Sequence, residues 1–430
     1  MSKAYDSVNF ELFTKSLERI SMPQPLINIL INLLTDRQNR VISNLGLTNF
    51  YSVKNGIDQG ETITPLFWRI YYDPLINKIA SQFSGYSLST SWKTNLHSLQ
   101  PQYLKTSVSV LAYMDDTLWI AKSKEELSLI TKTAMSFYQM ANIQINPTKS
   151  ILATNSSTTS LQFSGSLIYS IPKNQPFKFL GCWFTSNNKH SQIIKLIKEE
   201  AFNLINIAST KKITDKQIAY IINTVIIPTL EYRLHSIILP RTVCNQILSK
   251  YLTVAKHKSH LFRSIPNSTM LNPFLYNIRN IWDIQLQHHI PNYLQRINNP
   301  DLLGITTRIR LQQLQNNLWS PISILNHPKP MIDGPNRNSL NFKIIQLFTH
   351  LGLTISVNSN STWPHTINNS GQALEPILSQ HSKYLTFKKQ LRQANIMYLE
   401  QLYTTDNSTL LDWKHLLPRL LYLLKDRKPL

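Results

Sequence analysis

The chain has 430 residues, 42% of them hydrophobic and only 10 of them Gly, which excludes wholesale disorder and favours helices over a turn-rich all-β architecture. Two cysteines, Cys182 and Cys244, exclude a disulfide framework and a four-thiolate zinc site, so a reducing compartment is expected. The net charge of +21 points to a polyanionic partner, and it is uneven: residues 1–126 hold 12 basic and 11 acidic side chains, residues 127–430 hold 32 and 12. Solvated helix faces would account for such a charge equally well.

In chain order, Phe10, Phe13, Leu17 and Ile20 recur at helical spacing behind a possible Asn9 cap, and Pro23 ends the pattern before a second helix from about Leu26 to Leu34. Two β-prone runs, Arg40–Asn44 and Phe50–Val53, bracket Gly46 as in a hairpin. A loop from Asn55 to Gly60 leads into a long amphipathic helix near Pro65–Phe83, and Ser84–Gln102 reads as a polar insertion. Ser107–Met114 and Thr117–Ala121 are apolar runs separated only by Asp115 and Asp116, the pattern of a tight hairpin with a polar tip. Ser123 and Glu126 form a capping-box pair opening a helix to about Ala141. Strand-like segments at 143–152 and 177–184 flank a Ser/Thr-rich loop at 154–160.

From 188 to about 287 the pattern is helical and basic, with Lys195, Lys198, Lys211, Lys212, Lys216, Lys250, Lys256, Lys258 and Arg263 spread along it. Residues 291–350 read as short helical pieces, 356–371 as a Ser/Asn-rich linker, and 384–424 as helical again. Neither a secretion signal nor an apolar run of membrane-spanning length is present, so an intracellular protein is expected, without a basic cluster to decide between nucleus and cytoplasm.

Two adjacent carboxylates repel each other unless a positive group neutralises them, and a divalent cation would do so; an ordinary polar turn is the plain alternative. The surrounding strings favour the first reading. Tyr113-Met114-Asp115-Asp116 between two hydrophobic strands resembles the Tyr-x-Asp-Asp signature of reverse transcriptases. Upstream, Ser2 to Val8 is similar to the tail of that family's first polymerase motif, and Asn55 to Phe67 to its Gln-Gly loop and helix. Downstream, Ile145 to Ser150 and Phe177 to Gly181 resemble its Asn-x-x-Lys and Leu-Gly elements. The likeness is closest to reverse transcriptases of non-LTR, LINE-like retrotransposons.

The resemblance implies an α+β fold: a right-hand polymerase palm with partial fingers over 1–185, a thumb-like basic helical region over 186–290, and a helical region of unknown role over 291–430. It implies nucleotidyl transfer onto a DNA primer along an RNA template, with deoxynucleoside triphosphates as substrates. Asp115 and Asp116 would hold two magnesium ions, with manganese as a substitute, and Lys149 would neutralise or protonate the leaving pyrophosphate. Gln59 and Gly60 would lie where template and nucleotide meet, flanked by Tyr113 and Met114. Tyr5 would act as a steric gate against a ribose 2′-OH. Phe179, Leu180 and Gly181 would grip the primer end. The thumb lysines would contact duplex phosphates without reading sequence. A core tyrosine at Tyr5, a surface lysine at Lys149 and a helix cap at Asp6 are the structural alternatives.

The family's first motif also carries a metal-binding Asp six residues before the position of Asp6, which falls one place before Met1. The resemblance therefore implies a chain truncated within that motif, by a shortened reading frame or by decay of a mobile element, with little or no polymerisation of its own. The competing expectation is a nucleic-acid-binding relic without catalysis.

Overall fold

The computed structural model describes residues 4–92, 101–157, 159–318, 320–325, 339–353, 355, 363–366, 371–393, 396–403 and 409–410. The chain opens with a short 3-10 turn, Tyr5–Ser7, and then α1, Phe10–Arg19, which starts where Asn9 accepts the Leu12 N–H at 3.0 Å. Asn9, and not Asp6, is thus the cap. Pro at the start of a helix loses no intrahelical bond, and α2, Gln24–Leu34, begins directly after Pro23 with Pro25 in its first turn.

The hairpin expected around Gly46 forms as two short antiparallel ladders in one arm. In them β1, Arg37–Asn39, pairs with β4, Tyr51–Val53, and β2, Ile42–Ser43, with β3, Gly46–Leu47. α3, Thr64–Gln82, runs straight through Pro74 and buries Phe67, Trp68, Tyr71, Tyr72, Leu75 and Ile79.

The supposed polar insertion begins instead as a strand, β5, Tyr86–Trp92, which pairs with β6, Gln102–Val108. Leu88, Thr90 and Trp92 alternate inward between Ser89 and Ser91, a period of two that the serine content hides. Residues 93–100 of that insertion lie outside the described residues. β7, Val110–Tyr113, and β8, Asp116–Trp119, form the tight hairpin expected, with Tyr113 opposite Asp116 and Val110 opposite Trp119.

α4, Lys124–Met140, is capped by Ser123, which accepts the Glu126 N–H. The Glu126 carboxylate, however, accepts from the Lys122 N–H at 2.8 Å and the Gly85 N–H at 3.2 Å, so it ties the helix start to the end of α3 rather than closing a box. Those hydrogen bonds hold its carboxyl below the ordinary range against a desolvation cost that acts the other way.

Residues 143–152 are not a strand. Pro147 lacks a donor and the Asn146 side chain accepts the Thr148 N–H, making a 3-10 turn at Pro147–Lys149, with isolated bridges at Gln144 and at Leu152, the latter to Ser170. Beyond the serine-rich loop an unexpected hairpin appears, β9, Ser160–Phe163, with β10, Ser166–Tyr169. Its two-residue turn has Ser164 at φ 50° and Gly165 at φ 75°, the left-handed pair that suits the twist of a hairpin. β11, Phe177–Phe179, and β12, Cys182–Phe184, flank a second such turn, with Leu180 at φ 47° and Gly181 at φ 77°.

The remainder is helical: α5, Ser191–Thr210; α6, Asp215–Ile221; a π-turn at Ile222–Ile226; α7, Ile227–Arg233; α8, Arg241–Lys258; α9, Asn267–Leu271; α10, Ile281–Asn298; α11, Leu302–Leu318; α12, Leu340–His350; α13, Leu374–Leu378; and α14, Tyr384–Gln393. The stretch read as short pieces is in fact long helices, because α10 continues through Pro291 and α11 holds 17 residues. Of the linker expected at 356–371 only 363–366 and 371 are described; of the helix expected at 384–424, Tyr384–Gln393 is helical and Leu399–Leu402 is a 3-10 turn instead, while 394–395, 404–408 and 411–424 lie outside the described residues.

The chain divides into two units: residues 1–87, 107–180 and 185–187, and residues 88–106, 181–184 and 188–430. The core of the first joins α1, α2, α3 and α4 through Phe13, Leu17, Ile27, Trp68, Tyr71, Tyr72, Ile130 and Tyr138. The second has one core around α5 to α10 and another around α10, α11 and α12.

Candidate active site

The tip of the β7–β8 hairpin is a two-residue loop of Met114 and Asp115. Met114 sits at φ 53°, a conformation disfavoured for a residue with a Cβ and met where a fold holds a functional loop in place. Tyr113, Asp115 and Asp116 are exposed, and neither carboxylate has a hydrogen bond or ion pair among the described residues.

Tyr5 lies directly against this tip. Its hydroxyl donates to Met114 Sδ at 3.5 Å and its ring leans on Trp68, with centroids 5.7 Å apart. Partial burial raises the phenol above its ordinary pKa, and the charges of Asp115 and Tyr113 add to the rise. Behind the tip, the Tyr72 hydroxyl bonds Thr117 of β8 at 3.0 Å and Tyr138 of α4 at 2.7 Å. Burial pushes Tyr72 up to about 12, so its proton stays on across the working pH range and the hairpin is fixed to α3 and α4 through neutral groups.

The segment before α3 is bolted to the turn that carries Tyr5. The Gly56 N–H donates to Val8 at 2.9 Å and the Ile57 N–H to the Tyr5 carbonyl at 3.0 Å. A Cβ on Gly56 would come within 2.9 Å of the Asp6 Cα, and its φ of 89° is one that glycine adopts freely, so this approach requires glycine. Arg37 clamps the same segment, donating to the carbonyls of Leu34 and Gly56 and pairing with Asp58, while the Thr64 hydroxyl donates to the Asp58 carbonyl at 2.6 Å. Gln59 and Gly60 follow as an exposed bend with open space around Gly60. Asp58 and Asp73, the latter bonded to Arg19 at 2.6 Å, are thus occupied by arginines.

The other expected site residues lie on separate turns. Lys149 is exposed on its 3-10 turn, with no side-chain hydrogen bond or ion pair among the described residues. Phe179 and Leu180 close the first unit, and Gly181 belongs to the second, where its carbonyl accepts from Arg233 and the Tyr232 ring fills the space a Cβ would need. Arg233 is held in turn by Glu200 at 3.2 Å.

Sequence reasoning missed Arg37, Trp68 and Tyr72. Trp68 and Tyr72 were visible as apolar positions of one helix face, but nothing in the sequence ties Arg37 to a segment 19 residues on.

The basic region needs one correction. Lys256 is 5% exposed, and its ammonium donates to the carbonyls of Arg263 and Ile265 and to Asn267 Oδ1, so it closes the turn after α8 and cannot reach a phosphate. Lys198 is engaged with Gln246 and Lys258 with the Lys211 carbonyl, whereas Lys211, Lys212, Lys216, Lys250 and Arg263 are exposed.

The site is thus a small antiparallel hairpin with two exposed carboxylates at its tip, backed by α3 and α4 and faced by Tyr5 from the start of the chain. Residues 1–184 match the family model described as "Reverse transcriptase (RNA-dependent DNA polymerase)". A curated relative is the retrovirus-related Pol polyprotein from type-1 retrotransposable element R2 of Popillia japonica, 22% identical over 246 residues. That alignment covers 54% of this chain and 37% of the polyprotein, so the chain spans little more than a third of its relative.

Reverse transcriptases generally use divalent metal ions together with a nucleic-acid template, a primer and nucleotides. The donor chemistry here fits such an ion in kind, since Asp115 and Asp116 present free carboxylate oxygens, the ligands hard divalent cations take. Among the described residues, however, no group of three or more His, Cys, Asp or Glu side chains is placed to hold one. No described helix is long and apolar enough to cross a membrane.

Proposed function

We propose that residues 1–184 act as the RNA-directed DNA polymerase domain of a retrotransposon, extending a DNA primer on an RNA template. The carrying observation is the contact between Tyr5 and Met114, which joins the first-motif segment to the carboxylate tip across 109 residues of sequence. Asp115 and Asp116 are the residues that would hold magnesium, which when bound supplies charge neutralisation at the transferring phosphoryl group.

The chain's own groups do the positioning. Tyr5 walls the nucleotide side of the tip, where its ring would meet a ribose 2′-OH. The exposed bend at Gln59 and Gly60 leaves backbone accessible to template and base, and Arg37 and Gly56 keep that bend in register with Tyr5. Lys149 meets the leaving pyrophosphate, and Phe179 to Gly181 receive the primer end. Residues 186–290 serve as a thumb whose exposed lysines contact phosphates.

A second reading, duplex binding without catalysis, is favoured by the pair of carboxylates standing where two shared metals ask for more donors. Primer extension on an RNA template with magnesium and deoxynucleotides separates the two. Extension lost in the Asp115→Ala, Asp116→Ala double variant supports the polymerase. Folded protein that binds the duplex, extends nothing and is unchanged by the double variant supports the second reading.

A further inference from the structure

The second unit carries two exposed aromatic rings, Phe262 and Phe274, that the polymerase reading does not use, beside basic residues of the proposed thumb. From Tyr232 to Trp282 there is no Asp or Glu, against seven basic residues: Arg233, Arg241, Lys250, Lys256, Lys258, Arg263 and Arg279. In the same stretch Phe262 is 80% exposed and Phe274 95% exposed. Apolar rings this open to water, within an acid-free segment, are a combination that suits a partner with both negative charge and flat apolar faces.

These rings are presented by built turns. The buried Lys256 ammonium draws in the carbonyls of Arg263 and Ile265 and the Asn267 side chain, which fixes the turn bearing Phe262 and Arg263 against the end of α8. On the far side of α9, Asn272 Oδ1 accepts the Phe274 N–H at 2.9 Å and the Asn272 carbonyl accepts from Leu275 and Asn277. Met270 of α9 is fully buried in the core below. The bond from Lys258 Nζ to the Lys211 carbonyl brings the exposed pair Lys211 and Lys212 to the same helix end. Acids from outside do meet this segment: Glu200 pairs with Arg233 at 3.2 Å, and Asp215 accepts from Tyr276 at 3.2 Å.

We propose that the turns flanking α9 bind single-stranded RNA, with unpaired bases stacking on Phe262 and Phe274 and the backbone phosphates meeting Arg263, Lys211 and Lys212. A duplex keeps its base faces stacked internally and offers these rings nothing, so the aromatic pair distinguishes this surface from one that binds any polyanion. The choice of RNA over DNA rests on the proposed polymerase reading; the surface itself does not.

Fluorescence anisotropy with a labelled unstructured RNA, its DNA equivalent and an RNA duplex tests the proposal on the whole chain. Phe262→Ala with Phe274→Ala should weaken single-stranded RNA by about tenfold or more and leave the duplex within about twofold. Arg263→Gln should weaken the RNA and flatten its salt dependence. Both rings are exposed, so the melting temperature should hold, and Phe262→Ser with Phe274→Ser provides a second variant. Equal losses for RNA and duplex, no loss for either, binding of DNA alone, or a concentration-dependent dimer abolished by the same substitutions would each overturn it. Absence of primer extension by the wild-type chain, with these binding changes still seen, would instead count against the polymerase reading alone.

Discussion

The Tyr5 hydroxyl rests on the Met114 sulfur at 3.5 Å, joining the first turn of the chain to the two-residue loop of Met114 and Asp115. Sulfur is a weak acceptor, so the contact works mainly by placing the ring. Tyr5→Phe should therefore leave the choice between deoxy- and ribonucleotides unchanged, while Tyr5→Ala should raise ribonucleotide incorporation by about tenfold or more, equivalent to about 1.4 kcal/mol. Competition between the two nucleotide types during primer extension reads this directly. Unaltered selectivity in the Ala variant would reduce Tyr5 to a core residue.

Gly56 and Gly60 both have positive φ, but only Gly56 is hemmed in by the Tyr5–Asp6 backbone. Gly56→Ala should cost about 3 kcal/mol or more, since backbone must move, and Gly60→Ala about 1–2 kcal/mol from strain alone. Urea unfolding measures both. Equal costs would show that the bend is not bolted to the Tyr5 turn.

Lys256→Met should destabilise the second unit by about 1–3 kcal/mol, because the carbonyls of Arg263 and Ile265 and the Asn267 amide oxygen lose their shared donor. Its nucleic-acid salt slope should match wild type at temperatures where the variant is folded. A slope lowered by about one would return Lys256 to the phosphate-binding set.

Burial, with the neighbouring His288 adding to it, holds His289 down at about 4, and burial with Lys343 does the same for His190. Both are neutral when folded and take up protons near 6.5 when unfolded, so the unfolded chain binds more protons between those values. Stability is complete above about 6.5 and falls as pH drops towards 4, by up to about 3 kcal/mol for His289. Thermal melts across that window should show a shallower decline in His289→Leu than in wild type. Parallel curves would exclude His289 as the cause.

Much of the first unit was legible in sequence because its elements are specified by local chemistry. Asn9, Pro23 and Ser123 mark helix ends through the backbone donors they satisfy or lack, and the apolar runs around Asp115–Asp116 admit little but a hairpin. β5 was hidden because serines carry its period, and the run at 143–152 was misread because Pro147 and Asn146 outweigh its apolar residues. The Ser164–Gly165 turn carried a readable signal that its serine-rich surroundings masked.

Sequence alone therefore determined the order of the motifs, the pair of carboxylates and the uneven charge, all properties of residue type and spacing along one dimension. Which charges are free was decided only by the tertiary structure. Asp58 and Asp73 are neutralised by Arg37 and Arg19, Lys256 is spent on carbonyls, and Asp115 and Asp116 stand open at a tip faced by Tyr5. Hydrogen bonds and ion pairs form between groups that folding brings within about 3 Å, whatever their separation in sequence.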